Sequence, residues 1–144
     1  LDPTRPRQVT ALHTGRKLAG VLTLRGDEPG PVDLRLGPWG VLTGRLLDPE
    51  GRPVAGAVIR LFHGSKTMAG YSTMAHRPPG DDPRTDADGR FRVEGLIPGL
   101  EYGVSVAKRG TTLAPGWYAN RTGLTWKPGE VKDLGELTGS KFAD

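Results

Sequence analysis

Residues 40–61, GVLTGRLLDPEGRPVAGAVIRL, and residues 85–106, TDADGRFRVEGLIPGLEYGVSV, decide the fold. Each block is a pair of apolar runs interrupted by a tight turn. Leu42, Gly44 and Leu46 share one parity, and Ala57, Ile59 and Leu61 share the next. Phe91 and Val93 follow, then Tyr102, Val104 and Val106. A period of two over short runs is what a strand shows when one face meets a core and the other meets water. In Asp48-Pro49-Glu50-Gly51, proline presets its φ and glycine accepts a positive one. In Asp86-Ala87-Asp88-Gly89, a carboxylate can take nearby backbone N–H groups ahead of a glycine. Pro98-Gly99 supplies a third turn. The pattern predicts an antiparallel β-meander with one packed face, in which Phe91 is buried against Ile59 and Tyr102.

The chain of 144 residues is long enough for a real core, burying about two-thirds of the surface its unfolded form exposes. Its 22 Gly and 13 Pro, with 35% hydrophobic residues, fit short strands joined by many turns. No run approaches the ~20 apolar residues of a membrane-spanning helix. The opening LDPTRPRQV lacks the apolar centre of a signal peptide and reads as a mature segment or an excised fragment. With no cysteine, disulfides and thiolate metal sites are excluded, and the compartment stays open.

The two blocks resemble the carboxypeptidase regulatory-like domain, a transthyretin-like β-sandwich similar to the B-type repeats of bacterial collagen-binding adhesins. The matching positions are Gly44, Asp48, Gly51, Pro53, Gly56 and Ala57, then Thr85, Asp86, Asp88, Gly89, Phe91, Gly95, Pro98, Gly99 and Tyr102. They span about half the chain, in the right order. The resemblance implies an all-β, prealbumin-like or Ig-like sandwich over residues 39–138, with a tail at 139–144. It also implies a non-catalytic accessory module, a spacer or protein-interaction repeat, within a larger bacterial protein that is extracytoplasmic or secreted. Its partners would be neighbouring domains of the parent protein, and a protein or glycan ligand.

Residues 1–38 form an extra N-terminal β segment. After a lead-in rich in proline and arginine come three strand-like runs, Gln8 to His13, Leu18 to Leu24 and Val32 to Leu36. Gly37-Pro38-Trp39-Gly40 reads as a linker. VTALHTGRKLAG from Val9 aligns with VSVAKRGTTLAP from Val104, and EPGPVDLRL parallels KPGEVKDLGEL with a small shift. A period of nearly a hundred residues is that of a whole sandwich. The opening therefore reads as the C-terminal part of a preceding similar repeat, docked as a β-layer on the complete one.

Two irregular stretches follow the first block. His63 to Arg84 holds one strand around Thr67 to Thr73 and then AHRPPGDDPR, whose prolines forbid regular structure. Lys108 to Lys127 carries Trp117, Tyr118 and Trp126. Glu130 to Leu137 is the closing strand, and the tail GSKFAD reads as a frayed end or a cut linker.

Chemistry finds few candidates. Asp81, Asp82, Asp86 and Asp88 suggest calcium, but an EF-hand loop would place its first aspartate at Arg84 and its last glutamate at Gly95. His13, His63 and His76 lack a zinc spacing, and neither Ser65 nor Ser72 lies in a nucleophile elbow. The related hydroxyisourate hydrolases and intradiol dioxygenases use a terminal Tyr-Arg-Gly-Ser and paired tyrosines and histidines, respectively, and neither set stands here. The run Val41 to Leu47 lacks the lysine that an adhesin-type isopeptide would need. No catalytic residue, metal or cofactor is therefore assigned. The net charge of +4 comes from scattered arginines interleaved with acids, the pattern of a solvated basic surface and not of a nucleic-acid binder. That leaves Trp117, Tyr118 and Trp126 as candidate ligand-binding residues, because aromatics on loops stack on sugars and anchor partners. The competing role is as lids on the open end of the sandwich.

Overall fold

In a computed structural model the described residues are 7–67, 70–76 and 80–142. The described part is all β, with eleven strands and no helix. They are β1 (Arg7–His13), β2 (Leu18–Leu24), β3 (Gly37–Pro38), β4 (Gly40–Leu47), β5 (Val58–Thr67) and β6 (Gly70–His76). β7 (Arg90–Leu96), β8 (Glu101–Lys108), β9 (Trp117–Thr125), β10 (Val131–Thr138) and β11 (Ser140–Lys141) complete the order. A three-stranded sheet β10-β4-β7 and a five-stranded sheet β11-β9-β8-β5-β6 enclose the core, and β1-β2-β3 form a small third sheet.

The alternation of the two blocks sets the inward faces. Leu42, Leu46, Phe91 and Val93 from one sheet join Ile59, Leu61, Tyr102, Val104 and Val106 from the other in a single buried cluster. Gly44 faces inward because a Cβ there would meet the Phe91 ring at 2.5 Å. The turns are held as their residue types foretell. Asp48 Oδ1 accepts the N–H of Glu50 (3.0 Å) and of Arg52 (2.9 Å), and Asp86 Oδ1 accepts those of Asp88 and Arg90, both at 2.9 Å. Gly89, at φ 74°, sits where a Cβ would collide with the Leu46 carbonyl.

The structure corrects several expectations. The meander is not antiparallel throughout: β10 runs parallel to β4, and every other ladder is antiparallel. The run Val32 to Leu36 alternates but forms no strand, since a strand also needs a ladder partner and only Gly37 and Pro38 pair with β2. The supposed linker thus contains β3, followed by Trp39 at 7% exposure. Lys108 to Lys127, expected irregular, contains β9. The tail is not wholly frayed, because Ser140 and Lys141 pair with Tyr118 and Trp117. In the other long stretch, β5 continues to Thr67 and β6 returns along it. The lead-in at 1–6, part of the proline-rich loop at 77–79 and the last two residues lie outside the described residues.

The N-terminal layer docks through β2. Ala19 belongs to the common core and Val21 packs against it. The Trp39 N–H donates to the Lys17 carbonyl at 3.0 Å, and Lys17 Nζ lies 3.6 Å from Glu94. Val9 and Leu12, farther out on β1, stay exposed.

Candidate functional site

The three aromatics singled out by the sequence do not share a surface. Trp126, just past β9, is 3% exposed. Its Nε1–H donates to the Val41 carbonyl at 2.9 Å, and its ring meets Tyr102 edge-on at 5.6 Å. Gly40 makes room for it, as a Cβ there would come to 2.5 Å from the indole. Lys132 Nζ stands 5.4 Å from the ring centroid. Trp126 is therefore a core lid with no face for a ligand. Trp117, at the other end of β9, is half-buried against the core. Tyr118, its neighbour in the strand, faces the opposite way and packs on Phe142, with ring centroids 5.0 Å apart.

A ring series crosses the core at this end, His63 to Tyr102 at 5.9 Å and Tyr102 to Trp126. Burial pushes the Tyr102 phenol up to about 12, and the oxygen accepts the Ile97 N–H at 3.0 Å. Burial also holds the His63 imidazole below its ordinary range. Among the described residues no set of acids and histidines could hold a metal ion. The His76 side chain lies outside them. Asp86 is a turn former, as its two backbone bonds demonstrate, and His13 Nδ1 accepts the Arg16 N–H at 3.2 Å.

The surface that does gather polar groups is the outer face of the five-stranded sheet. Tyr102, Val104 and Val106 of β8 point inward, so Gly103, Ser105 and Ala107 point out. The register places them in rows across three strands: Val58, Ala107 and Tyr118 in one, then Arg60, Ser105 and Asn120. Because the central residues are small, the face is concave. One hollow of about 940 Å³ is lined by Arg60, Arg84, Lys108, Arg109, Tyr118 and Asn120, among others. A second, about 480 Å³, continues past Ser105 and Asn120 to Phe62, Glu101, Arg121 and Thr122. Arg84 reaches the first hollow because its backbone bridges Val58 on β5. Lys108 Nζ is engaged by the Ala55 carbonyl at 2.7 Å. Arg60, Arg84 and Arg109 form no ion pair among the described residues.

Of the residues that line the first hollow, sequence reasoning singled out Tyr118 but not the arginines, Ser105 or Asn120. The outward parity of Arg60 was visible, but nothing in the chain's order joins it to Arg84 and Arg109. Compared with known proteins, the chain matches no family model, no curated protein and no solved structure. No helix among the described residues is long and apolar enough to cross a membrane.

Proposed function

We propose that this chain is a non-catalytic β-sandwich module of the carboxypeptidase regulatory-like, transthyretin-like kind. In this reading it is a spacer or protein-interaction repeat of a larger, exported bacterial protein, and residues 1–38 are the end of a preceding repeat. The observation that carries it is how the polar motif residues are used. Asp48 and Asp86 bond turn backbone, and buried Thr85 Oγ1 accepts the Ala57 N–H at 2.8 Å and donates to the Val54 carbonyl at 2.7 Å. Groups committed to backbone in this way are building a scaffold.

The topology fits a spacer under tension. β4 opens the main sandwich and β10 nearly closes it, and the two lie side by side in parallel. Pulling backward on the start of β4 and forward on the end of β10 slides one strand along the other. All their hydrogen bonds are then loaded together and not one after another. The test is single-molecule pulling in two geometries. Handles at Pro38→Cys and the C-terminus should require a higher unfolding force than handles at Pro49→Cys and the C-terminus, which unzip the same pair. Equal forces would count against the spacer role.

Carbohydrate binding is a second reading, favoured by one observation. Tyr118 lies beside Asn120 and Ser105 on a concave face, with a ring to stack on a sugar and polar groups for its hydroxyls. Retention of the protein on polysaccharide gels, lost on Tyr118→Ala with the melting temperature kept, tests it.

A further inference from the structure

We propose that the outer face of the five-stranded sheet binds an acidic polysaccharide, seating a carboxylate-bearing sugar among Arg60, Arg84 and Arg109. The inference rests on the carbohydrate reading and names its ligand class. Three observations on this face converge.

The face has the shape for a chain and not only for a point ion. Two hollows share Ser105 and Asn120 and so form one trough over β8. Its floor is Gly103, Ser105 and Ala107, spanning about 13 Å at the rise of a β-strand. Cross-strand neighbours stand about 5 Å apart, so the Arg60, Ser105 and Asn120 row presents guanidinium, hydroxyl and carboxamide within the reach of one sugar ring.

The charge is concentrated and unspent. Arg60, Arg84, Lys108 and Arg109 line one end, and among the described residues no carboxylate lines that hollow. Guanidinium forks match carboxylates in a bidentate way, and three of them here have donors to offer. At the other end Glu101 and Arg121 offset each other, beside Thr122 and the Gly103 backbone. A polymer whose acidic units are separated by neutral ones suits such a trough. A nucleic acid, with a phosphate on every unit, would set one against Glu101.

The sheet order argues against a peptide. β8 lies between β5 and β9, and β5 between β8 and β6, whereas β11 covers β9 only at Trp117 and Tyr118. The floor strand β8 thus offers no edge to which an acidic peptide could add as a strand, and the uncovered part of β9 lies at the rim of the trough. A sugar chain needs only side chains and a ring face, which the trough supplies.

The test is calorimetric titration of the whole chain with two acidic oligosaccharides, alternating glucuronate and N-acetylglucosamine, and galacturonate. The comparison ligands are the same oligosaccharides with carboxyls reduced to alcohols, polyglutamate and a deoxythymidine oligomer. At least one acidic oligosaccharide should bind, and carboxyl reduction should weaken it about tenfold or more. Arg60→Gln/Arg84→Gln/Arg109→Gln should weaken it as much without lowering the melting temperature. Arg45→Gln/Arg52→Gln/Arg92→Gln, which removes equal charge elsewhere, should leave binding intact. Equal binding of the reduced sugars would overturn the inference and spare the carbohydrate reading. Binding of neither acidic sugar would overturn the inference, and binding of none of the sugars, acidic or reduced, would overturn the carbohydrate reading as well. Equal losses in the two triple variants, or equal affinity for polyglutamate or the deoxythymidine oligomer, would reduce the trough to an unselective basic surface and overturn the inference.

Discussion

The three-stranded side of the sandwich and the outer face of the five-stranded sheet carry the same kinds of cation and use them in opposite ways. On the three-stranded side Arg45 Nε donates to the Asp88 carbonyl at 2.8 Å and its guanidinium lies 3.5 Å from Glu136. Arg92 lies 3.7 Å from Glu94, and Arg52, in the adjoining turn, lies 3.0 Å from Asp48. On the five-stranded face Arg60, Arg84 and Arg109 share one hollow with no acid among the described residues that line it. Net charge hides this difference. Cations paired with acids brace turns and strands, whereas cations held together without acids repel one another.

If the contrast is right, the largest stability effects lie in the shared core and the outer face is tolerant. Phe91→Ala, which empties the space beside Gly44, should cost ~3–5 kcal/mol in urea unfolding. Tyr118→Ala, on the outer face, should cost no more than about 1.5 kcal/mol. A large loss at Tyr118 would make that face structural and break the comparison.

The next effect is the pH response of the ring series. Tyr102→Phe leaves the buried Ile97 N–H without its acceptor and should cost about 1–3 kcal/mol at neutral pH. The phenol's value is raised from 10.0 to about 12. Its contribution is therefore fully present below pH 10 and lost as pH rises through 12, to the extent of about 2–3 kcal/mol. His63 acts in the opposite direction. With its value lowered from 6.5, the stability it brings is present above pH 6.5 and lost as pH falls through the lowered value. Unfolding measured across pH should show both limbs, with Tyr102→Phe flattening only the alkaline one. An unchanged alkaline limb would remove Tyr102 as its cause.

How much of this was legible varies by region, for physical reasons. The core strands were readable because Leu42 to Leu46 and Tyr102 to Val106 alternate without interruption. β9 was hidden because a bulge between the pairs Tyr102–Leu124 and Val104–Arg121 shifts its parity, so WYANRTGLT never shows a clean period. β10 was seen as a strand, but no local pattern tells a parallel partner from an antiparallel one. Val32 to Leu36 shows the reverse failure, alternation with no ladder to join. The aromatic candidates were named from residue type alone, and burial took Trp126 away. The arginine hollow depends on register across β5, β8 and β9, and on the bridge that brings Arg84 beside Val58. Distances of that kind are written in the fold and not in any window of sequence.

A smaller effect separates the two faces by salt. A double-mutant cycle on Arg45 and Glu136 should give under about 1 kcal/mol, falling as salt is added. Salt should do the opposite for the arginine hollow, easing repulsion among Arg60, Arg84 and Arg109. Replacing any one of the three by Gln should therefore make the melting temperature rise less, or fall more, on adding salt than in the unaltered chain. A greater rise would indicate that the arginine had been paired.

The central claim is that the cations of one region hold the fold and those of the other do not. The thermal midpoints of the two triple variants, measured at low salt without ligand, test it most directly. Arg45→Gln/Arg52→Gln/Arg92→Gln should lower the midpoint, while Arg60→Gln/Arg84→Gln/Arg109→Gln should leave it unchanged or raise it. A fall in the second variant as large as in the first would contradict the account.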